Sequence, residues 1–150
     1  MIKTITGDML AGVKAGYILH GCNALGMMGS GIAKAIRDKW PLAYDVYRKE
    51  FEDSGLMLGD VIPVEVEPGL IVMNCITQQL CGSDGQKYVS YDAVAECMDR
   101  VSFCVKGLHI QKTVNFPLIG AGLGGGKWEV IEPILDHYLT VDEKYLWKLP

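Results

Sequence analysis

The stretch HGCNALGMMGSGIAKAI, residues 20–36, decides the fold. It joins a short apolar run, Tyr17-Ile18-Leu19, to a segment with helical spacing. In that segment Ile32, Ala33, Ile36 and Trp40 share one face, while Lys34, Arg37 and Asp38 fall elsewhere. Pro41 closes the helix. Between strand and helix, Gly21, Gly26, Gly29 and Gly31 leave little but backbone. The same order returns later in the chain. Thr113 to Leu118 predicts a strand, GAGLGGG follows at 120–126, and Trp128, Ile131, Ile134, Leu135 and Tyr138 predict a helix that must accommodate Pro133. A strand, a glycine turn and a helix, used twice, is the grammar of an α/β fold.

The rest of the chain fits around these two units. Ile2 to Thr6 alternates as a short strand, and Leu42 to Asp53 predicts a more polar helix closed by Ser54-Gly55. Asp60 to Val66 is a strand pushed to a sheet edge by Pro63. Leu70 to Ile76 is almost wholly apolar and suits a strand covered on both faces. Residues 78–89 form a loop, then Val94, Cys97, Met98 and Val101 keep helical spacing, and Leu146 to Leu149 predicts a last strand. The expected architecture is α/β, with helices on both faces of one sheet and a single domain over 1–150.

Composition narrows the function. The 150 residues are 49% hydrophobic and 21% charged, enough to bury a core. A net charge of -4, with a pI near 5.3, argues against nucleic-acid binding through a broad basic face. No apolar run is long enough to span a membrane, and MIKTITGDML lacks the apolar core of a secretory leader. Cys22, Cys75, Cys81, Cys97 and Cys104 are odd in number with no C-x-x-C pair, so free thiols in a cytoplasmic setting are expected, with neither metal nor disulfides. Glycine is in excess: 18 residues, against a usual share of about 7%.

Glycine lets successive N–H groups converge on an anion, and a helix that starts there adds its positive end. Two such loops suggest a ligand with more than one phosphate. Familiar nucleotide fingerprints do not fit. The second loop has Ala121 where a P-loop needs its first glycine and Trp128 where it needs Ser or Thr. The first loop has Lys34 in place of the third dinucleotide-binding glycine.

Four blocks in order carry a more specific resemblance: Thr6-Gly7-Asp8, Leu19-His20-Gly21-Cys22-Asn23, Met28-Gly29-Ser30-Gly31-Ile32-Ala33, and Pro117-Leu118-Ile119-Gly120-Ala121-Gly122-Leu123. Together they resemble the signature of macro domains over nearly the whole chain. The resemblance implies a three-layer α/β/α fold around a mixed, mostly parallel sheet that binds ADP-ribose or its derivatives. Asp8 would then face the adenine amine and Asn23 the distal ribose. Gly29, Ser30 and Gly31 would flank the diphosphate and distal ribose from one side, and Gly120, Ala121, Gly122, Leu123 and Gly124 from the other, with Ile32 and Thr77 also among the ligand contacts.

Within the family the chain is similar to the branch of terminal ADP-ribose glycohydrolases and ADP-ribose-1″-phosphate phosphatases. The glycohydrolases use a lysine after the central strand and an aspartate in the second glycine loop. Here those places hold Thr77-Gln78-Gln79 and Gly124, and an amide cannot replace an amine nucleophile. The phosphatases carry a histidine before the Cys-Asn step, as His20 does, and an acid in the loop after the central strand, as Asp84 does. The resemblance therefore implies hydrolysis of ADP-ribose-1″-phosphate without cofactor or metal, with His20 and Asp84 as the acid–base or nucleophilic pair. The alternatives are a silent ADP-ribose-binding module and a hydrolase of protein-linked or acylated ADP-ribose. A monomer that binds neither nucleic acid nor membrane is expected. His109 and His137 are expected in a loop and at a helix C-terminus, Met27-Met28 and Cys22 in packing, and Trp40 and Trp128 as core anchors.

Overall fold

In a computed structural model, residues 1–82, 84–107 and 112–150 are described. In chain order the elements are β1 (Ile2–Thr6), α1 (Met9–Gly12), β2 (Gly16–Asn23), α2 (Gly31–Lys39), α3 (Pro41–Ser54), β3 (Val61–Glu67), β4 (Leu70–Gln78), α4 (Tyr91–Gly107), β5 (Thr113–Phe116), α5 (Trp128–Tyr138) and β6 (Glu143–Lys148). Among the described residues one six-stranded sheet runs in the order β1-β6-β5-β2-β4-β3. All neighbours are parallel except β3 and β4. This is the mixed, mostly parallel sheet of a three-layer α/β/α fold.

Alternation along the central strands decides what each helix layer receives. Tyr17 and Leu19 of β2, with Ile71, Met73 and Cys75 of β4, join the core under α4 and α5. Ile18 and Cys22, with Val72 and Ile76, join the cores under α1, α2 and α3. Both faces are covered, which is why these strands are apolar almost throughout. Pro63 sits on the outer strand β3, as expected of a residue that cannot donate to a ladder.

Several boundaries differ from the sequence expectation, and one changes the chemistry. β2 does not stop at Leu19 but continues through His20, Gly21 and Cys22 to Asn23. Parallel pairing with β4, His20 opposite Asn74, carries the strand onward although its side chains turn polar. His20 is thus an interior strand residue rather than a strand-end one. β4 likewise runs to Gln78. Pro41 ends α2 and also begins α3, where a missing N–H costs nothing. Pro133 lies inside α5, where it removes a single ladder donor. Trp40 is buried and donates to Glu67, whereas Trp128 is only partly buried and donates to Glu132. His137 occupies the last turn of α5, edge-on to Tyr138, and His109 lies outside the described residues. No described helix is long and apolar enough to cross a membrane.

Candidate ligand-binding cleft

Beyond the carboxyl ends of β2, β4 and β5 lies a cleft of about 630 Å³. Its walls are the end of β2 (Gly21, Cys22, Asn23), the start of α2 (Gly29 to Ala33), Gln78 with Cys81 and Gly82, and the second glycine loop. Crevices at this end of a parallel sheet collect helix N-termini and receive ligands. A groove of similar volume lies between α3, β3 and α4, lined by Glu50, Asp60, Arg100 and Phe103, among others, and it shares no residue with the glycine loops.

The local sequence explains the cleft's character. Ser30 precedes α2 but makes no side-chain capping bond, so the first N–H groups of the helix stay unsatisfied by protein. Among the described residues no hydrogen bond engages the N–H of Gly31, Ile32 or Ala33, nor those of Gly122, Leu123 or Gly124 in the facing loop. Gly31 takes φ +60°, and a Cβ there would stand 3.6 Å from Leu123 Cδ1 across the cleft. The two lips therefore nearly meet. Gly29 and Gly122 are different, since a Cβ on either would face open space. Among the described residues no Asp, Glu, His, Lys or Arg side chain lines this cleft, so its positive character comes from backbone.

The side chains expected at the site divide into two groups. Asn23, Gly29, Ser30, Gly31, Ile32, Gly120, Gly122, Leu123 and Gly124 all line the cleft. Ala121 does not; it turns back onto the core under α4 and α5. Asp8 also lies outside the lining, and its Oδ1 caps α1 by accepting the Leu10 N–H at 3.1 Å. Thr77 is fully buried beneath the floor. Among the described residues its Oγ1 has no hydrogen-bond partner, and it would stand 2.8 Å from a Cβ at Gly21. Gln78, one residue on, reaches the cleft instead.

His20 and Asp84 are not brought together. Strand alternation turns His20 into the layer under α3, where it is completely buried and absent from the cleft wall. Asn74 donates its Nδ2 to the carbonyls of Ala43 and Ile62, at 3.3 and 3.2 Å, which leaves its Oδ1 to face the imidazole. At 2.6 Å His20 must therefore donate through Nε2–H, and Nδ1, 3.7 Å from Cys22 Sγ, is the acceptor. Burial drives its pKa down to about 4, against a smaller upward pull from Asn74. The Cys22 thiol is pushed up by the same burial. Both stay neutral, in a network that joins β2, β4, β3 and α3. Asp84 is exposed, where its Oδ1 accepts from Tyr88 Oη at 2.7 Å and Gln86 N–H at 3.2 Å. The Tyr88 hydroxyl holds this carboxyl below its usual range. His20 thus lies beneath the floor of the cleft, and Asp84 stands apart from it on the loop that supplies Cys81 and Gly82 to the cleft wall.

Three supporting residues escaped the sequence analysis, which saw only a polar helix at α3. Tyr47 donates to Asn23 O at 2.7 Å, Arg48 donates to Gly26 O at 3.1 Å, and Phe51 packs where a Cβ at Gly26 would fall. Asn74 did leave a signal: an amide within LIVMNCI must find partners when buried. At Gly124 a Cβ would meet Gly120 O at 2.8 Å and Gln78 Oε1 at 3.1 Å, so this loop has no room for a carboxylate side chain there.

The macro domain family model matches residues 19–135. An uncharacterised 17.5 kDa protein of Enterobacteria phage T4 is 33% identical over 141 residues, 92% of this chain and 90% of its own length. A protein of Candida albicans named ADP-ribose 1″-phosphate phosphatase is 27% identical over 158 residues, covering 92% of this chain and 94% of its own. The solved structure of a macrodomain protein from Streptomyces coelicolor superposes with a TM-score of 0.82 at 32% identity, over 99% of both chains. With that match, and with a cleft built where two glycine loops meet the ends of β2 and β5, the chain belongs to the macro domain family.

Proposed function

We propose that the chain binds ADP-ribose in this cleft, its diphosphate lying between the two facing rows of free N–H groups. That arrangement is the observation that carries the reading. Among the described residues it offers six donors on opposite walls and no side-chain charge, which suits a permanently ionised diphosphate held by backbone. Asn23, at the end of β2 in the cleft wall, would meet the distal ribose. Titration calorimetry with ADP-ribose tests the proposal: one ligand should bind per chain, and a flat titration at millimolar ligand would overturn it.

The name of the Candida albicans relative favours a finer reading, hydrolysis of ADP-ribose-1″-phosphate to ADP-ribose and phosphate. In this reading water attacks phosphorus, the bond to the 1″ oxygen breaks, and loop N–H groups stabilise the phosphoryl oxygens. His20 contributes by holding the end of β2 rather than by moving a proton. The acid–base role falls to Asp84, on the loop that also supplies Cys81 and Gly82 to the cleft. Phosphate release should then fall at least tenfold in Asp84→Asn with ADP-ribose affinity unchanged. Absence of phosphate release by the unaltered protein would leave a binding module. With Thr77-Gln78-Gln79 and Gly124 where the glycohydrolases place lysine and aspartate, protein-linked ADP-ribose is the least supported substrate.

A further inference from the structure

Asn23 stands in the cleft wall with its carboxamide almost fully committed. Its Oδ1 accepts from Leu25 N–H at 3.0 Å, from Met27 N–H at 3.3 Å and from the Tyr47 hydroxyl at 3.0 Å. Its Nδ2 donates to Met27 O at 2.9 Å. A carboxamide has two acceptor directions and two N–H donors, so the acceptor side is exhausted and one N–H is left. Turning the amide over would set N–H against two backbone N–H groups and leave Met27 O facing an oxygen.

Tyr47 locks this arrangement from behind. It lies on α3, is fully buried, and shares its single O–H between Asn23 O at 2.7 Å and Asn23 Oδ1 at 3.0 Å. Among the described residues it is the one side chain that ties the backbone and the amide of Asn23 to the same point. We infer that Tyr47 is a positioning residue that fixes Asn23 as a hydrogen-bond donor alone, so that this end of the cleft selects a ligand presenting an acceptor oxygen beyond the diphosphate. The inference rests on the ADP-ribose reading above. It adds that specificity for the distal sugar is set by a residue the ligand never touches.

The test compares ADP-ribose with ADP, which keeps the adenosine and the diphosphate but lacks the distal ribose. Tyr47→Phe should weaken ADP-ribose about fivefold to tenfold, the worth of one mispositioned hydrogen bond, while ADP affinity stays within twofold. Equal losses for both ligands would mark a general loosening and overturn the inference, as would no loss for either. A second measurement does not depend on the variant folding. In the unaltered protein the Asn23 side-chain amide resonances should shift on adding ADP-ribose and hold still on adding ADP. Resonances unmoved by ADP-ribose, or moved alike by both, would overturn it. An unaltered protein that binds neither nucleotide would instead remove the ADP-ribose reading, and this inference with it.

Discussion

The two glycine loops do similar work by different means. The first, from Asn23 to Gly31, is held from outside, by Tyr47, Arg48 and Phe51 of α3 and by the amide of its own Asn23. The second, from Gly120 to Gly126, is held by its own backbone. Gly126 N–H donates to Gly120 O at 2.7 Å, Gly125 N–H to Gly122 O at 3.0 Å, and Tyr88 and Val89 N–H both reach Gly124 O. Crowding enforces the difference, because added Cβ atoms at Gly124, Gly125 and Gly126 would each run into backbone or core. The first loop therefore depends on the side chains of another element, and the second depends on having none.

The largest effect should come from breaking the second loop. Gly125 has φ +73°, and a Cβ there would collide with the Gln86 carbonyl. Gly125→Ala should cost about 3 kcal/mol or more, from left-handed strain plus backbone displacement, and lower the melting temperature by about 10 °C in calorimetry. Acid should loosen the floor beneath the first loop instead. His20 titrates at about 4 when folded and near 6.5 when unfolded, so the unfolded chain binds the extra proton between these values. Its contribution, up to about 3 kcal/mol, is complete above pH 6.5 and disappears as pH falls through 4. Denaturant unfolding at stepped pH should show this decline, and a His20→Gln variant should flatten it.

A substitution that faces open space separates binding from folding. Gly122→Val sets its Cβ in open space on a residue that lines the cleft, so it should weaken ADP-ribose about 100-fold or more, by calorimetry, with the melting temperature within about 2 °C of the parent. Equal thermal losses in Gly122→Val and Gly125→Ala would erase the distinction between these positions. The smallest effect belongs to the first loop's outer support. Arg48→Ala removes one bond to Gly26 O and should cost about 1 kcal/mol in denaturant unfolding.

The fold was legible because its signals are local: period-2 and helical patterns around GCNALGMMGSG and GAGLGGG, and Pro63 marking an edge. The glycine walls of the cleft were legible for the same reason, since unsubstituted backbone shows in one-dimensional order. The burial of His20 was not legible, because the apolar pattern ends at the first polar residue while the strand does not. Only pairing with Asn74, 54 residues away, shows that the strand continues and that alternation buries the ring. The capping bond of Asp8 and the core packing of Ala121 are set by local geometry that the letters alone do not carry. Tyr47 could not be found at all from a helix pattern, because its role exists only where α3 crosses behind Asn23.

The most direct test of the account is an amide ¹H–¹⁵N titration of the labelled protein with ADP-ribose. The N–H resonances of Gly31, Ile32 and Ala33 in one lip, and Gly122, Leu123 and Gly124 in the other, should move together at one ligand per chain as they take up phosphate oxygens. If both sets stay in place while the ligand binds, or if only one set moves, the diphosphate does not lie between the two loops.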